Sequence, residues 1–305
     1  MKEMSLDHHG FVVIDKQKNL SSARVVSHVK RTLGVKKVGH TGTLDPFATG
    51  VMVCCINHAT RLARFFLGGD KKYEALLHLG IETDTQDATG NRISERQVPD
   101  CSEAEIQNVF GSFTGPLDQI PPVYSALKHK GVPLYKHARR GKPIQKPARQ
   151  ILVLALEISE IRLPYIQFEV TCSAGTYIRT LGADIGNALG CGGHLKTLRR
   201  IQSSGFSIGD AMTLEAFEKR AANETFSQYA VGMTEALGYM PEWTAGKNLK
   251  NKIVNGVPLT QKDVPVKALP DKDKFIKIID GNRELLAVIE QNETGSEYYY
   301  CCVFN

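Results

Sequence analysis

An α+β fold is predicted for this chain, with a mixed, largely antiparallel sheet flanked by helices and a smaller all-β unit behind it. Three observations lead there. Strand-like and helix-like segments mix without the strict βαβ rhythm of a parallel sheet. Two segments, 73–79 and 166–172, alternate apolar and polar residues as half-buried strands do. Around 241–247 the composition shifts, and 246–305 reads as short apolar runs and turns, a compact appendage to a first domain over 1–245.

Taken in order, Phe11-Val12-Val13-Ile14 is a short buried strand ending at Asp15-Lys16. Ser21 or Ser22 caps a helix whose Val25, Val29 and Leu33 fall at helical spacing. An apolar strand over 51–56 precedes a helix carrying Leu62, Phe65 and Phe66. In 73–79 the residues Tyr73, Ala75, Leu77 and Leu79 share one face. The polar loop 83–90 carries Asp84 and Asp87 but lacks the glutamate twelve places on that a calcium loop needs. Ser102-Glu103-Ala104-Glu105 forms a capping box for a helix bearing Ile106, Val109, Phe110 and Phe113. Strands over 151–158 and 166–172 follow, then a helix over 177–189 that stops at Gly190. The stretch 195–200 reads as another helical turn. In the tail, 252–256, 275–279, 285–289 and 298–304 read as short strands and turns.

Hydrophobic residues at 42% and charged residues at 23% are ordinary for a globular protein. No apolar run approaches the ~20 residues that span a bilayer. The opening, 1–10, is polar and has no secretory signal core, so a cytoplasmic protein is expected. Seven cysteines without a C-x-x-C pair predict free thiols in a reducing compartment and no metal site. The net charge of +6 is placed unevenly. Between Asp118 and Glu157 there is no acid, while Lys128, Lys130, Lys136, Arg139, Arg140, Lys142, Lys146 and Arg149 alternate with Tyr124, Tyr135, His129 and His137. Cations interleaved with rings suit a polyanion with exposed bases; a solvated basic loop is the plainer alternative.

The most informative stretch is Gly39-His40-Thr41-Gly42-Thr43-Leu44-Asp45-Pro46-Phe47-Ala48-Thr49-Gly50. Glycines permit close backbone approach or positive φ, and proline restrains itself and its predecessor. Asp45 is thus a carboxylate braced on both sides beside a buried strand, as a reacting group must be and a solvated one need not be. In Cys172-Ser173-Ala174-Gly175-Thr176-Tyr177-Ile178-Arg179, an arginine enters the first turn of a helix. Facing Asp45, it would hold that carboxylate ionised and oriented.

These segments resemble the tRNA pseudouridine-55 synthases of the TruB type. The likeness rests on the Gly39 to Gly50 motif, Lys72-Tyr73, Thr83-Asp84-Thr85 with Asp87 and Gly90, Pro121-Pro122 with Tyr124-Ser125-Ala126-Leu127, Gly175 to Thr180, and Leu198-Arg199-Arg200. They occur in family order over about the first 245 residues. The tail is similar, more loosely, to the small β-barrel-like PUA domain that binds RNA.

The resemblance implies a pseudouridine synthase fold and an isomerisation. A T-loop uridine at tRNA position 55 loses its glycosidic bond, turns, and rejoins the ribose through C5. No cofactor or metal is implied, and the T-arm of tRNA is the partner of a monomer that needs no other protein. Asp45 corresponds to the catalytic aspartate, and Arg179 to the arginine that pairs with it. Tyr73 corresponds to the aromatic that stacks on the base and helps remove the C5 proton. His40 corresponds to the residue filling the flipped base's place, Tyr177 and Leu198 to pocket-lining positions, and Lys16 to a lysine near the floor. The basic stretch, about 124–150, corresponds to an insertion closing over the T-arm, with Lys136, Arg139 and Arg140 set to meet the RNA backbone.

Other readings compete. A non-catalytic RNA-folding protein could use the basic stretch and the tail alone; an intact Asp45, Tyr73 and Arg179 argue against that as the sole role. An aspartyl-phosphate enzyme would need a second aspartate and a threonine at short spacing, which Asp45-Pro46-Phe47-Ala48 lacks. The guide-RNA-dependent branch of the same family usually carries charged extensions, which do not occur here.

Overall fold

The computed structural model describes residues 8–265, 274–292, 294 and 296–304; residues 1–7 of the polar opening lie outside them. Among the described residues nine strands form one large sheet. Its strands are β1 (Gly10–Lys16), β2 (Val38–His40), β3 (Thr49–Ile56), β4 (Lys71–Leu79), β5 (Gly115–Gln119), β6 (Arg149–Arg162), β7 (Tyr165–Cys172), β8 (Gly193–Ser203) and β9 (Phe206–Ser207). Their order is β1-β3-β8-β4-β7-β6-β5, with β2 beside β3 and β9 beside β8. β3 and β8 run parallel, and the other pairs are antiparallel.

β4 is central and keeps the expected period: Lys71, Tyr73, Ala75, Leu77 and Leu79 are buried and the residues between them are half-buried. Under that face, α2 (Glu103–Ser112) and α3 (Ile178–Ala188) contribute Ile106, Phe110, Leu181 and Ile185 to a core with Leu77, Phe168 and Val170. α1 (Ser22–Leu33) places Val25 and Val29 against Val12, Ile14 and Met52. Ser21 is its cap, accepting from the Arg24 N–H, and the Ser102–Glu105 capping box is complete on both sides. The helix expected around Leu62 to Phe66 is two pieces, a 3₁₀ turn over Asn57–Arg61 and a helical turn over Ala63–Leu67. The cysteines are free, four buried and three partly so.

Two expectations are corrected. Residues 195–200 are not a helical turn but the middle of β8. Register shifts between Leu195 and Thr197 and between Arg200 and Gln202 break the period of two. The first puts Leu195 and Leu198, three apart, on one buried side, which imitates helical spacing. Residues 252–256 are not a strand. They belong to or follow α4 (Lys247–Val254), whose Leu249 and Ile253 are buried four apart.

The second sheet contains β10 (Glu242–Thr244), β11 (Leu259–Thr260), β12 (Phe275–Ile279), β13 (Leu285–Gln291) and β14 (Glu297–Val303), ordered β10-β12-β13-β14-β11. It curls into a PUA-like half-barrel around Ile276, Ile278, Ala287 and Ile289, with α4 closing one side. Its other face shares a hydrophobic cluster with the large sheet. Leu285, Val288 and Phe304 pack with Phe11, Val53 and Phe66, and Phe275 meets Phe65 edge-on at 5.1 Å. Among the described residues no helix is long and apolar enough to cross a membrane.

Candidate active site

The turn between β2 and β3 carries Asp45 and is tied down from several elements. Its neighbours Leu44 and Phe47 are buried in the core. Ser22 brackets Leu44: its Oγ donates to the Leu44 carbonyl and accepts from the Leu44 N–H, both at 2.9 Å. The Pro46 carbonyl accepts from the Asn19 N–H at 2.7 Å and from Lys16 Nζ at 3.4 Å. From β8, Arg200 donates to the carbonyls of Gly42 at 3.0 Å, Thr43 at 3.4 Å and Val51 at 2.8 Å. Gly50, at φ +101°, lets β3 run against β8 here. A Cβ at that position would lie 2.1 Å from the Arg200 carbonyl oxygen, so no other residue fits.

Opposite the turn, Arg179 sits in the first turn of α3 with only 3% of its side chain exposed, while Asp45 is 36% exposed. Arg179 Nε donates to Asp45 Oδ2 at 2.8 Å. Its other nitrogens donate to the carbonyls of Thr85 at 2.6 Å and Tyr124 at 2.8 Å, and Asp87 Oδ2 lies 3.7 Å from Nη1. One guanidinium therefore joins the Asp45 turn, the 83–90 loop and the root of the basic stretch. Asp87 is itself fixed by the hydroxyls of Thr85 and Thr89 and the Thr89 N–H. The aspartates of that loop thus serve as turn and network acceptors.

A cleft of about 440 Å³ opens between these elements. Asp45, Tyr73, Tyr177, Arg179 and Leu198 all line it, so the structure gathers five of the residues singled out in the sequence. Burial raises the pKa of the Tyr73 hydroxyl, and Arg200, by charge and hydrogen bonding, opposes that rise. Tyr177 is fixed through its backbone, which exchanges two hydrogen bonds with the Gln119 side chain at 2.8 and 3.0 Å.

Lys16 and His40 do not line the cleft but support it. Lys16 is fully buried and donates to the carbonyls of Gln17, Leu20 and Pro46. Burial brings its pKa down to about 8, against an opposing pull from Asp45. His40 Nδ1 accepts from the Gly42 N–H at 3.2 Å. Burial, with the charge of Arg200, lowers its pKa and so favours the neutral ring, in which the accepting Nδ1 leaves the proton on Nε2. Lys136, Arg139 and Arg140 are exposed on and just after a short helix over Leu134–Ala138, and none of them lines the cleft. Arg139 lies over the Tyr135 ring at 5.5 Å.

Sequence reading missed Ser22 as a brace, Arg200 and Asp87 as partners of the site, and Arg149. Arg149 also lines the cleft, its guanidinium 5.1 Å from the Tyr177 ring centre. The local signals are weak: two adjacent serines begin α1 where one cap suffices, and Arg200 follows Leu198 by two, which marks one strand face only once 195–200 is recognised as a strand.

A buried guanidinium holding a carboxylate at a cleft of about 440 Å³, beside a buried tyrosine, is the arrangement that the likeness to pseudouridine synthases implies. Residues 30–178 match the model described as TruB family pseudouridylate synthase (N terminal domain), and residues 179–237 match the tRNA pseudouridylate synthase B C-terminal domain. The tRNA pseudouridine synthase B of Syntrophus aciditrophicus (strain SB) is 40% identical over 92% of this chain and 90% of that protein. Its namesake in Geotalea uraniireducens (strain Rf4) is 40% identical over 94% and 93%. Among solved structures, a Cbf5-Nop10-Gar1 complex superposes with a TM-score of 0.73 at 27% identity, covering 98% of this chain and 84% of that one. The chain belongs to the TruB family of pseudouridylate synthases.

Proposed function

We propose that this chain isomerises a uridine in the T-loop of tRNA, at position 55, to pseudouridine, with Asp45 as the reacting carboxylate. The Asp45–Arg179 pair inside the cleft carries this reading. The target base must first leave the T-loop stack, which costs a few kcal/mol. Backbone contacts to Lys136, Arg139 and Arg140 offset that cost, together with stacking of the uracil on Tyr73. Tyr177 and Leu198 close around the base, and neutral His40 fills the gap it leaves in the loop.

Asp45 supplies the carboxylate that each route to cleavage requires: addition to the base, attack at ribose C1′, or removal of a ribose proton. Arg179 orients it by a charge-assisted hydrogen bond. The freed uracil turns against Tyr73 and rejoins C1′ through C5, and the Tyr73 hydroxyl assists loss of the C5 proton. Nothing is oxidised or reduced, so the residues of the cleft suffice.

In this reading 1–245 is the catalytic domain and 246–305 an RNA-binding unit, in a monomeric, cytoplasmic enzyme working without a protein partner. The Cbf5 structures are of assemblies with Nop10 and Gar1. Matches over about nine-tenths of both partners to enzymes named tRNA pseudouridine synthase B favour the stand-alone form. The test is to incubate pure protein with unmodified tRNA, without cofactor or guide RNA, and map pseudouridine. A single new pseudouridine at position 55 is expected; an unchanged tRNA overturns the proposal.

A further inference from the structure

The charged groups lining the cleft are Asp45 against Lys71, Arg149, Arg179 and Arg200. Arg179 is matched by Asp45 and Asp87. Among the described residues the other three cations have no carboxylate within 4.0 Å. Two of the three are buried, Lys71 with 6% and Arg200 with 2% exposed, where an unmatched charge is costly. Arg200 is met by three backbone carbonyls and the Tyr73 hydroxyl and Lys71 by two carbonyls, so both have hydrogen-bond partners but no counter-charge.

Their positions narrow the choice. Arg200 is the register partner of Tyr73, and Lys71 lies two residues along β4 on the same buried face. Both therefore flank the ring on which the base is proposed to stack. Lys71 Nζ donates to the carbonyls of Leu67, at 2.9 Å, and Gly69. That leaves one of its three N–H groups without a protein acceptor among the described residues. Burial and the nearby Arg200 lower its pKa, a penalty that an anion in the cleft would reverse. A phosphodiester, strongly hydrated and outside the base, is better met by the half-buried Arg149, which lies over Tyr177.

We propose that Lys71 and Arg200 stabilise the uracil anion that exists between glycosidic cleavage and reattachment. This rests on the isomerisation proposed above. When the C1′–N1 bond breaks, its electron pair leaves with the base and spreads over N1, O2 and O4, while Asp45 serves the electron-poor ribose. After the base turns, C5 gives a pair back to C1′. The C5 proton departs and N1 takes one up, so atoms and charge balance. The buried cations face charge that develops only during the reaction, where fixed groups accelerate most.

The test varies the leaving group. Lys71→Gln removes the charge but keeps donors for the two carbonyls. T-loop RNA carrying uridine or 5-fluorouridine at the target is followed under single turnover, by disappearance of the starting nucleoside. Fluorine at C5 makes the uracil anion intrinsically more stable and less dependent on help. Lys71→Gln should slow consumption of uridine by about 100-fold, yet of 5-fluorouridine by about 10-fold or less, with RNA affinity within about threefold of wild type. Lys71→Arg should recover most of the rate. If Lys71→Gln does not fold, Lys71→Arg is read alone: its smaller defect must again be larger for uridine. Equal slowing of the two substrates overturns the proposal, as does a loss of affinity without loss of rate, which would assign Lys71 to a phosphate. If wild-type protein leaves uridine unchanged, the isomerase reading itself fails, and the two failures are told apart.

Discussion

The Asp45 turn and the basic stretch after Tyr124 are built on opposite principles. The turn is held by Ser22, Asn19, Lys16 and Arg200, which together bind the backbone of five residues, Gly42, Thr43, Leu44, Pro46 and Val51. The basic stretch is fastened near its root, through the Tyr124 carbonyl on Arg179, while Lys136, Arg139 and Arg140 stand exposed. A group that reacts must be placed to a fraction of an ångström, whereas cations that neutralise phosphates act through their number and nearness. The backbone anchors gather at the turn proposed to react.

Asp45→Asn should break the comparison most sharply. It removes the charge and keeps the shape, so turnover should fall by about 10³-fold or more while tRNA affinity stays within a few-fold; single-turnover assays and filter binding check this. Ser22→Ala asks whether bracing matters apart from the carboxylate. Loss of both Leu44 contacts should lower the rate at saturating tRNA by about 10-fold and leave affinity unchanged, because misplacement alone is costly. An unchanged rate would show that the remaining anchors suffice.

Converting Lys136, Arg139 and Arg140 to Gln should do the reverse. Affinity should drop, and the slope of log K against log salt should flatten by about 2, with little effect on rate at saturation. Lys16 gives the smallest effect. Its folded pKa, about 8, lies below the ordinary lysine value of 10.5. The unfolded chain then binds more protons between those values, so this group's contribution to stability is present above 10.5 and is lost as pH falls through 8. The stability of wild type relative to Lys16→Met should therefore rise from pH 8 to 10.5, as denaturant melts at several pH values would reveal.

Much of this was legible from residue order. The period of two in β4 located Tyr73, the capping box located α2, and the glycine-proline turn marked Asp45, because each signal is local. Arg200 was hidden by bulges that spoiled the alternation of β8. Ser22 was hidden because its partner, Leu44, is 22 residues away and nothing nearby records the contact. The cleft's unmatched cations were beyond reach for the same reason. Charge balance belongs to a volume, and Lys71 and Arg200 become neighbours only when β4 and β8 pair.

The hydrophobic cluster between the two sheets has a consequence for how the molecule comes apart. Leu285, Val288 and Phe304 cover Phe11, Val53 and Phe66, so a cut after residue 245 would strip the lid from β1 and from β3, the strand that leaves the Asp45 turn. The C-terminal half-barrel is therefore no cassette to be removed or exchanged at will. It is a structural wall of the half proposed to be catalytic, and the two should melt as one.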